Sequence, residues 1–520
     1  MREKVARFEM QVGIDGWSDS ESPTQTTPGR SGKLFLGIPR RESRWLMVVL
    51  AVGALLRLVF LQQPMRYDEA FSFLYFVSQP LSVGLSDYSL PNNHLFHSLL
   101  AHVAYLLLGP QPWVLRLPAF GAGIALIAAT YFAARQFYGR HAAILAASVV
   151  ASSSILIEYS TNARGYMLLC LIFISLVAFG GGLVHSEKWA EWLLFGVISA
   201  IGFYTVPIML YGYGAVVTWL ALSITCDPKH RSKKRALALL VLSFGATLLV
   251  TVTLYAPVFL NTGLDSIIRN RFVAPVGRAE FFARFLPSLA EPWQQWTRDV
   301  PAVMIGLLAV GFVVAHLFHS RLTGHRVPVT AAILLWLTIS LLLYPVVPHG
   351  RVWLFLLPWC AVVCAAGINH IFGLVSSGPR VHGRLVACLS VSMLVAPGIG
   401  AFMSQSIVYS EETGTLRDAE AIALFLKLNL RGGDKVVAAL PSDAPLAYYF
   451  HFHAIPLGYL TAQPSAANRL WVVVNLAQRQ TFRDVVEKRR IPSIQLSAPK
   501  KRRIYESAIL YEAQPIKPGG

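Results

Sequence analysis

Long apolar runs, broken by short polar segments, recur from residue 45 to about residue 403. Runs of bilayer length fall at roughly 45–62, 113–134, 141–157, 166–184, 190–206, 208–225, 236–259, 301–319, 328–346, 352–374 and 385–403. They predict about eleven transmembrane helices. A further apolar stretch, 93–108, is short and carries His94, His97 and His102. From about residue 405 the pattern changes. Asp418 to Leu430 has helical spacing, with Ala421, Ile422, Leu424, Phe425 and Leu428 apolar. Arg431-Gly-Gly-Asp434 reads as a turn, and Val436–Leu440 and Leu470–Val474 are apolar runs of strand length. Thr481 to Arg490 reads as a helix. No glycine fingerprint for a nucleotide follows either strand. The pattern thus predicts an all-α polytopic membrane domain over 45–404 and a small α/β domain over 405–520.

Composition supports the membrane reading. Of 520 residues, 55% are hydrophobic and 14% charged, against about 25% charged in a soluble chain. The net charge of +18 reflects basic loops on the cytoplasmic side. No basic-aromatic module accompanies it, so nucleic acid is not an expected partner. The five cysteines lie in or beside apolar spans and read as small packing residues, with no zinc or disulfide spacing. Residues 1–32 are polar and lack the apolar core of a signal peptide. The segment 1–44 is therefore expected to be a disordered cytoplasmic tail.

Positive charge fixes the expected topology. Arg40, Arg41 and Arg44 precede the first span and hold the N-terminus inside. The basic loops Arg135–Arg140, Lys229–Arg235, Arg321–Arg326 and Arg380–Arg384 all fall inside only if 93–108 does not cross. That stretch is therefore expected to lie at the outer interface. Four segments then share the outer face: the loop with Asp68, Glu69 and Pro91-Asn-Asn-His94; the turn Glu158–Tyr166; a loop at about 260–300; and Pro348-His-Gly-Arg351. An odd number of spans puts the C-terminal domain outside as well.

Ionisable groups beside hydrocarbon are costly, and they mark functional sites. Asp68-Glu69 is the first such pair. A carboxylate partly shielded by lipid can serve as a general base; the plainer alternative is a charge pair that ends a span. Arg57 sits in the outer half of the first span, where a buried guanidinium needs an anionic partner. Asn92, Asn93 and His94 bring amide and imidazole groups, and His94 with His97 is spaced to ligate a metal or simply to hydrogen-bond. Arg164, flanked by Glu158, is placed to grip phosphate or to snorkel. His349 and Arg351 suit an anionic lipid headgroup, with snorkelling again the alternative. The 260–300 loop adds Arg269, Arg271, Arg278, Arg284 and Arg298, with Trp293 and Trp296.

These residues also resemble a family. Arg57-Leu-Val-Phe-Leu…Tyr67-Asp-Glu-Ala-Phe-Ser72 is similar to the first outer loop of the GT-C glycosyltransferases related to protein O-mannosyltransferases and lipid A aminoarabinose transferases. Pro91-Asn-Asn-His-Leu-Phe-His-Ser-Leu-Leu100, Trp113-Val-Leu-Arg-Leu-Pro118, Phe137-Tyr-Gly-Arg140 and Tyr159-Ser-Thr-Asn-Ala-Arg-Gly-Tyr166 follow in the family's order. The resemblance is specific from about residue 45 to 170; beyond it the match is hydropathy plus His349-Gly-Arg351.

The resemblance implies a GT-C-like fold, with interfacial helices in the first outer loop, in the plasma membrane. It implies a polyprenyl-phosphate-linked sugar as donor and a glycan, lipid or protein acceptor on the extracytoplasmic side. Asp68 would be the base, with Glu69 and Glu158 as further catalytic carboxylates. Arg57, Tyr67, Asn93, Arg164, Tyr166, His349 and Arg351 would bind substrate. Some relatives bind a divalent metal, for which His94 is the candidate ligand here. Where many relatives carry an acidic residue two positions before the second motif's arginine, this chain has Asn162, and Glu158 is the candidate substitute. The competing reading is a lipid or glycolipid transporter or flippase, which predicts internal repeats and midplane charges; neither is evident in the sequence.

Overall fold

The computed structural model describes residues 39–516, except 229, 231, 269–273, 413, 461–466 and 492–495. The expected N-terminal tail up to residue 38, with Arg269 and Arg271, lies outside the described residues.

Each of the eleven predicted segments is helical. The first is α1 (Arg40–Phe60). A loop layer follows: α2 (Tyr67–Ser72), a π-helical turn (Phe73–Val77), α3 (Leu81–Gly84) and α4 (Leu95–Leu108). The bundle continues with α5 (Pro112–Tyr138), α6 (Arg140–Ser152), α7 (Ser154–Ser160), α8 (Tyr166–Leu183), α9 (Trp189–Thr205), α10 (Met209–Cys226) and α11 (Lys233–Asn261). After the turn α12 (Asp265–Ile268) come α13 (Arg278–Ser288), α14 (Ala290–Thr297) and α15 (Ala302–Leu317). The single turn α16 (His319–Leu322) leads to α17 (Val329–Leu343), α18 (Leu356–Val375) and α19 (Pro379–Ser404). Among the described residues seven helices are long and apolar enough to cross a membrane, or up to nine if each of two bent pairs is one span. Two of the expected eleven, α9 and α17, are shorter helices of 17 and 15 residues. The protein is a multi-pass membrane protein. At 14 residues, α4 is about 21 Å long and belongs with α9 and α17 among the apolar helices shorter than a hydrocarbon core of about 30 Å.

The bundle's two ends differ in chemistry. The basic loops gather at one end: Arg135 lies 3.2 Å from Glu42 at the start of α1, His141 packs on His382, and His325 packs on Phe137. At the other end α6 breaks from α7 by 63°, within the run Ser152-Ser-Ser154. Serine hydroxyls there compete for backbone groups, and Ser152 Oγ donates to Ser148 O and across to Met393 O. A helix end leaves its last carbonyls without partners. Arg57 takes them: Nη1 donates to Gly53 O and Ala151 O, Nη2 to Val150 O, and Nε to Ser160 Oγ.

The C-terminal layer comprises α20 (Ala419–Asn429), β1 (Asp434–Ala438), α21 (Asp443–Phe452), β2 (Arg469–Asn475), α22 (Phe482–Lys488), β3 (Lys500–Ile504) and β4 (Ala508–Ala513). The sheet order is β1-β2-β4-β3, with β1 and β2 parallel in the register Val436 to Trp471, and the other pairs antiparallel. Two strands and both predicted helices follow the sequence pattern. The hairpin β3–β4 does not: β3 is four basic residues and Ile504, all exposed, with no alternation to reveal it. The inner side of this layer packs on the loop layer. Leu416, Ile422, Leu446 and Tyr448 share one apolar cluster with Met65, Ala70, Phe73 and Val77.

Candidate active site

The site lies at the bundle end opposite the basic loops, where α2, the start of α4, the α7–α8 turn and the 3-10 turn Gly350–Trp353 meet. A buried ion pair orients α2. Glu69 accepts from Arg116 Nε at 2.8 Å and Nη2 at 2.7 Å, and from the Arg66 and Ala163 N–H groups at 3.0 and 2.6 Å. Arg116 also donates to the carbonyls of Leu61, Gln63 and Pro64, so it fixes the whole entry to α2. Burial alone would raise the Glu69 carboxyl's pKa, yet Arg116 and the two N–H donors hold it below the ordinary value.

With Glu69 turned inward, Asp68 points the other way and keeps 12% side-chain exposure. Its Oδ2 lies 3.3 Å from Arg164 Nη1 and 3.6 Å from Arg351 Nη1. Asn92 Nδ2 donates to its Oδ1 at 3.1 Å. Asn92 therefore touches the candidate base, whereas the neighbour singled out in the sequence, Asn93, does not. Asn93 is buried and donates to Gly84 O and Asp87 O while accepting from Ser98 Oγ; it pins the loop to α4.

Arg164 is 2% exposed, and its Nε and Nη1 make no hydrogen bond. Its Nη2 lies 3.3 Å from His94 Nε2. His94 Nδ1 accepts the Gly165 N–H at 2.7 Å, so the neutral ring carries its proton on Nε2. Burial, then Arg164, His97 and Arg351, push His94 well below its ordinary pKa and keep it neutral. An N–H of His94 and an N–H of Arg164 thus face each other with no acceptor between them. A Cβ at position 165 would come within 2.9 Å of His94 Nδ1, so glycine permits this approach. Tyr166 packs edge-on to His94 and to Tyr159. Arg351 has its pKa raised, first by the Tyr166 hydroxyl, against its own burial, and then by Asp68.

A second carboxylate network closes the far wall. Glu158 is 1% exposed and accepts from Arg66 Nη1 at 3.1 Å, Ser410 Oγ at 2.5 Å and Arg298 Nη2 at 2.5 Å. Beside it, Glu412 accepts from Tyr159 Oη and Gln295 Nε2. Nothing local in the chain marks Asn92 over Asn93 or singles out Glu412, and the resemblance includes Arg116 in the run Trp113–Pro118 without a role. Their roles arise from separations of 24 to 253 residues.

The fold has solved counterparts. Over 91% of this chain and 98% of the other, it is similar to ArnT from Cupriavidus metallidurans in the apo state, with a TM-score of 0.56 and 12% identity. The same protein bound to undecaprenyl phosphate gives 0.55 and 12%, over 90% and 98% of the two chains. The archaeal oligosaccharyltransferase AglB from Archaeoglobus fulgidus, in complex with an inhibitory peptide and a dolichol-phosphate, gives 0.52 and 10%, over 85% and 70%. Residues 93–255 match the family model described as dolichyl-phosphate-mannose-protein mannosyltransferase. The chain shares the fold of these solved structures. No curated protein sequence matches it.

Within this fold several expected placements need correction. Glu69 and Glu158 are each 1% exposed and closed in by guanidinium groups, whereas Asp68 keeps 12% side-chain exposure, so of the three carboxylates only Asp68 retains an open side. Arg57 has no anionic partner among its contacts; four of its N–H donors go to Ser160 and to the carbonyls of Gly53, Val150 and Ala151, where it caps α6. Asn93 is saturated by backbone. His349 is exposed, away from the buried set. Tyr67 faces the C-terminal layer. Asp68, Arg164, Tyr166 and Arg351 do converge, and of the 260–300 arginines Arg298 pairs with Glu158. The residues do not fit a divalent cation. Among the described residues no three His, Cys, Asp or Glu side chains converge, His94 offers no free lone pair, and Asp68 is flanked by guanidinium groups.

Proposed function

We propose that this protein is a membrane glycosyltransferase that moves a sugar from a polyprenyl-phosphate donor to an acceptor at the extracytoplasmic face of the plasma membrane. The observation that carries the reading is one partly exposed carboxylate, Asp68, with two guanidinium groups on its Oδ2, Arg164 at 3.3 Å and Arg351 at 3.6 Å, the buried Arg164 keeping an Nε donor without an acceptor. In this reading the phosphate of the donor lies against Arg164, Arg351 and the His94 Nε2–H. Asp68 accepts the proton of the acceptor's nucleophilic group as that group bonds to C1 of the sugar. The C1–O bond to phosphate breaks with its electron pair on the oxygen, and polyprenyl phosphate leaves. The arginines stabilise the charge that develops there, so the leaving group needs no general acid. Asn92 holds the Asp68 carboxylate in orientation.

Asp68→Asn tests this. General-base loss costs about 10²–10⁴ in rate, so turnover with a radiolabelled polyprenyl-phosphate sugar should fall by that range while donor lipid still co-purifies with the folded protein. Unchanged turnover would remove Asp68 as the base.

A further inference from the structure

A second cavity lies beside the site, between the loop layer and the C-terminal layer. Tyr67, Phe71 and Tyr75 line one wall, and Asp443 and Arg489 the other, within about 220 Å³. Phe71 and Tyr75 stack at 4.4 Å, and Tyr67 follows at 6.1 Å from Phe71, forming a ladder of rings. Tyr75 is 57% exposed, which is unusual for an aromatic ring in a loop layer whose neighbours are buried. Opposite the ladder, Arg489 Nη2 donates to Asp443 Oδ2 at 2.5 Å. The pair neutralises itself, so the wall offers a donor and an acceptor with little net charge. An anion gains little there. A ring with apolar C–H faces and hydroxyl edges matches both walls. The volume is below the roughly 300–1,000 Å³ of drug-sized sites, which suits one ring rather than a chain.

The cavity also adjoins the catalytic helix. Tyr67 directly precedes Asp68 on α2. Burial, then Asp443, then Asp68 push its hydroxyl up to about 12, so it senses both carboxylates and remains a protonated donor.

We propose that this cavity is a subsite for an uncharged sugar ring of the acceptor, which makes the acceptor a glycan; the acceptor role rests on the transferase reading above. The ladder supplies the stacking surface, and Asp443, Arg489 and Tyr67 read hydroxyl groups.

The test is saturation-transfer NMR on the full-length protein in nanodiscs, with the methyl glycosides of mannose, glucose and galactose as probes. At least one should receive saturation on its ring C–H protons. Tyr75→Leu and, separately, Asp443→Asn should each weaken binding about five- to tenfold, the scale of a lost stacking or hydrogen-bonding contact. Inorganic phosphate should not compete. No transfer to any glycoside, undiminished binding in both variants, or displacement by phosphate overturns the proposal. Glycoside binding by the unmodified protein, with no turnover of any polyprenyl-phosphate sugar, overturns the transferase reading and leaves the sugar subsite standing.

Discussion

At the residue scale, two adjacent carboxylates have opposite fates. Asp68 and Glu69 sit on one turn of helix, where neighbouring side chains diverge, so only one can face the cleft. Glu69 meets Arg116 and two backbone N–H groups. Removing one partner of a buried pair leaves an uncompensated charge, at a cost of about 3–5 kcal/mol. Glu69→Gln is therefore expected to lower thermal stability in detergent strongly. The pH dependence has a definite sign. Because the native pKa of Glu69 is depressed, its contribution is present above the ordinary value of 4.5 and is lost as pH falls through the native value. In an acid unfolding series Glu69→Gln should flatten that limb; an unchanged limb would mean that other carboxylates govern it. The sequence displayed the pair but not the split, since Arg116 is 47 residues away.

At the scale of elements, α2 is too short to hold itself. Six residues are fewer than an isolated helix needs, so its geometry comes from its neighbours. Arg66, at its N-cap, donates to Glu158, to Gln63 and to the carbonyls of Ile407 and Ser410. This one side chain ties α2 to α7 and to the link of turns after α19. Arg66→Gln should loosen that link. Limited proteolysis is expected to cut within 405–418 faster than in the unmodified protein, with the bundle intact; an unaltered cleavage pattern would show that Tyr67 N–H to Gly414 O and the apolar cluster suffice. The break between α6 and α7 belongs to the same scale. Its serines were visible in the sequence as ordinary span residues, yet the freed carbonyls explain why a buried arginine occupies α1.

At the scale of the whole molecule, charge and length set the layout. The basic loops gather at one end and the candidate site at the other, which accords with α4 lying flat. A reporter fused after residue 110 should read as extracytoplasmic and one after residue 138 as cytoplasmic. The reverse pattern would require 93–108 to cross, and the site would no longer share one face. Periodicity and charge in the sequence determined the helices, the C-terminal α/β layer and the pool of ionisable residues, because these depend on local hydropathy and on the composition of short loops. Tertiary structure decided which of those residues face one another. It placed Asn92 rather than Asn93 on Asp68, closed Glu69 and Glu158 into ion pairs, made Arg57 a cap, left Arg164 with donors to spare and set an aromatic ladder against Asp443. Hydrogen bonds act over about 3 Å, and the partners in these contacts lie 24 to more than 300 residues apart, so no local pattern could encode them.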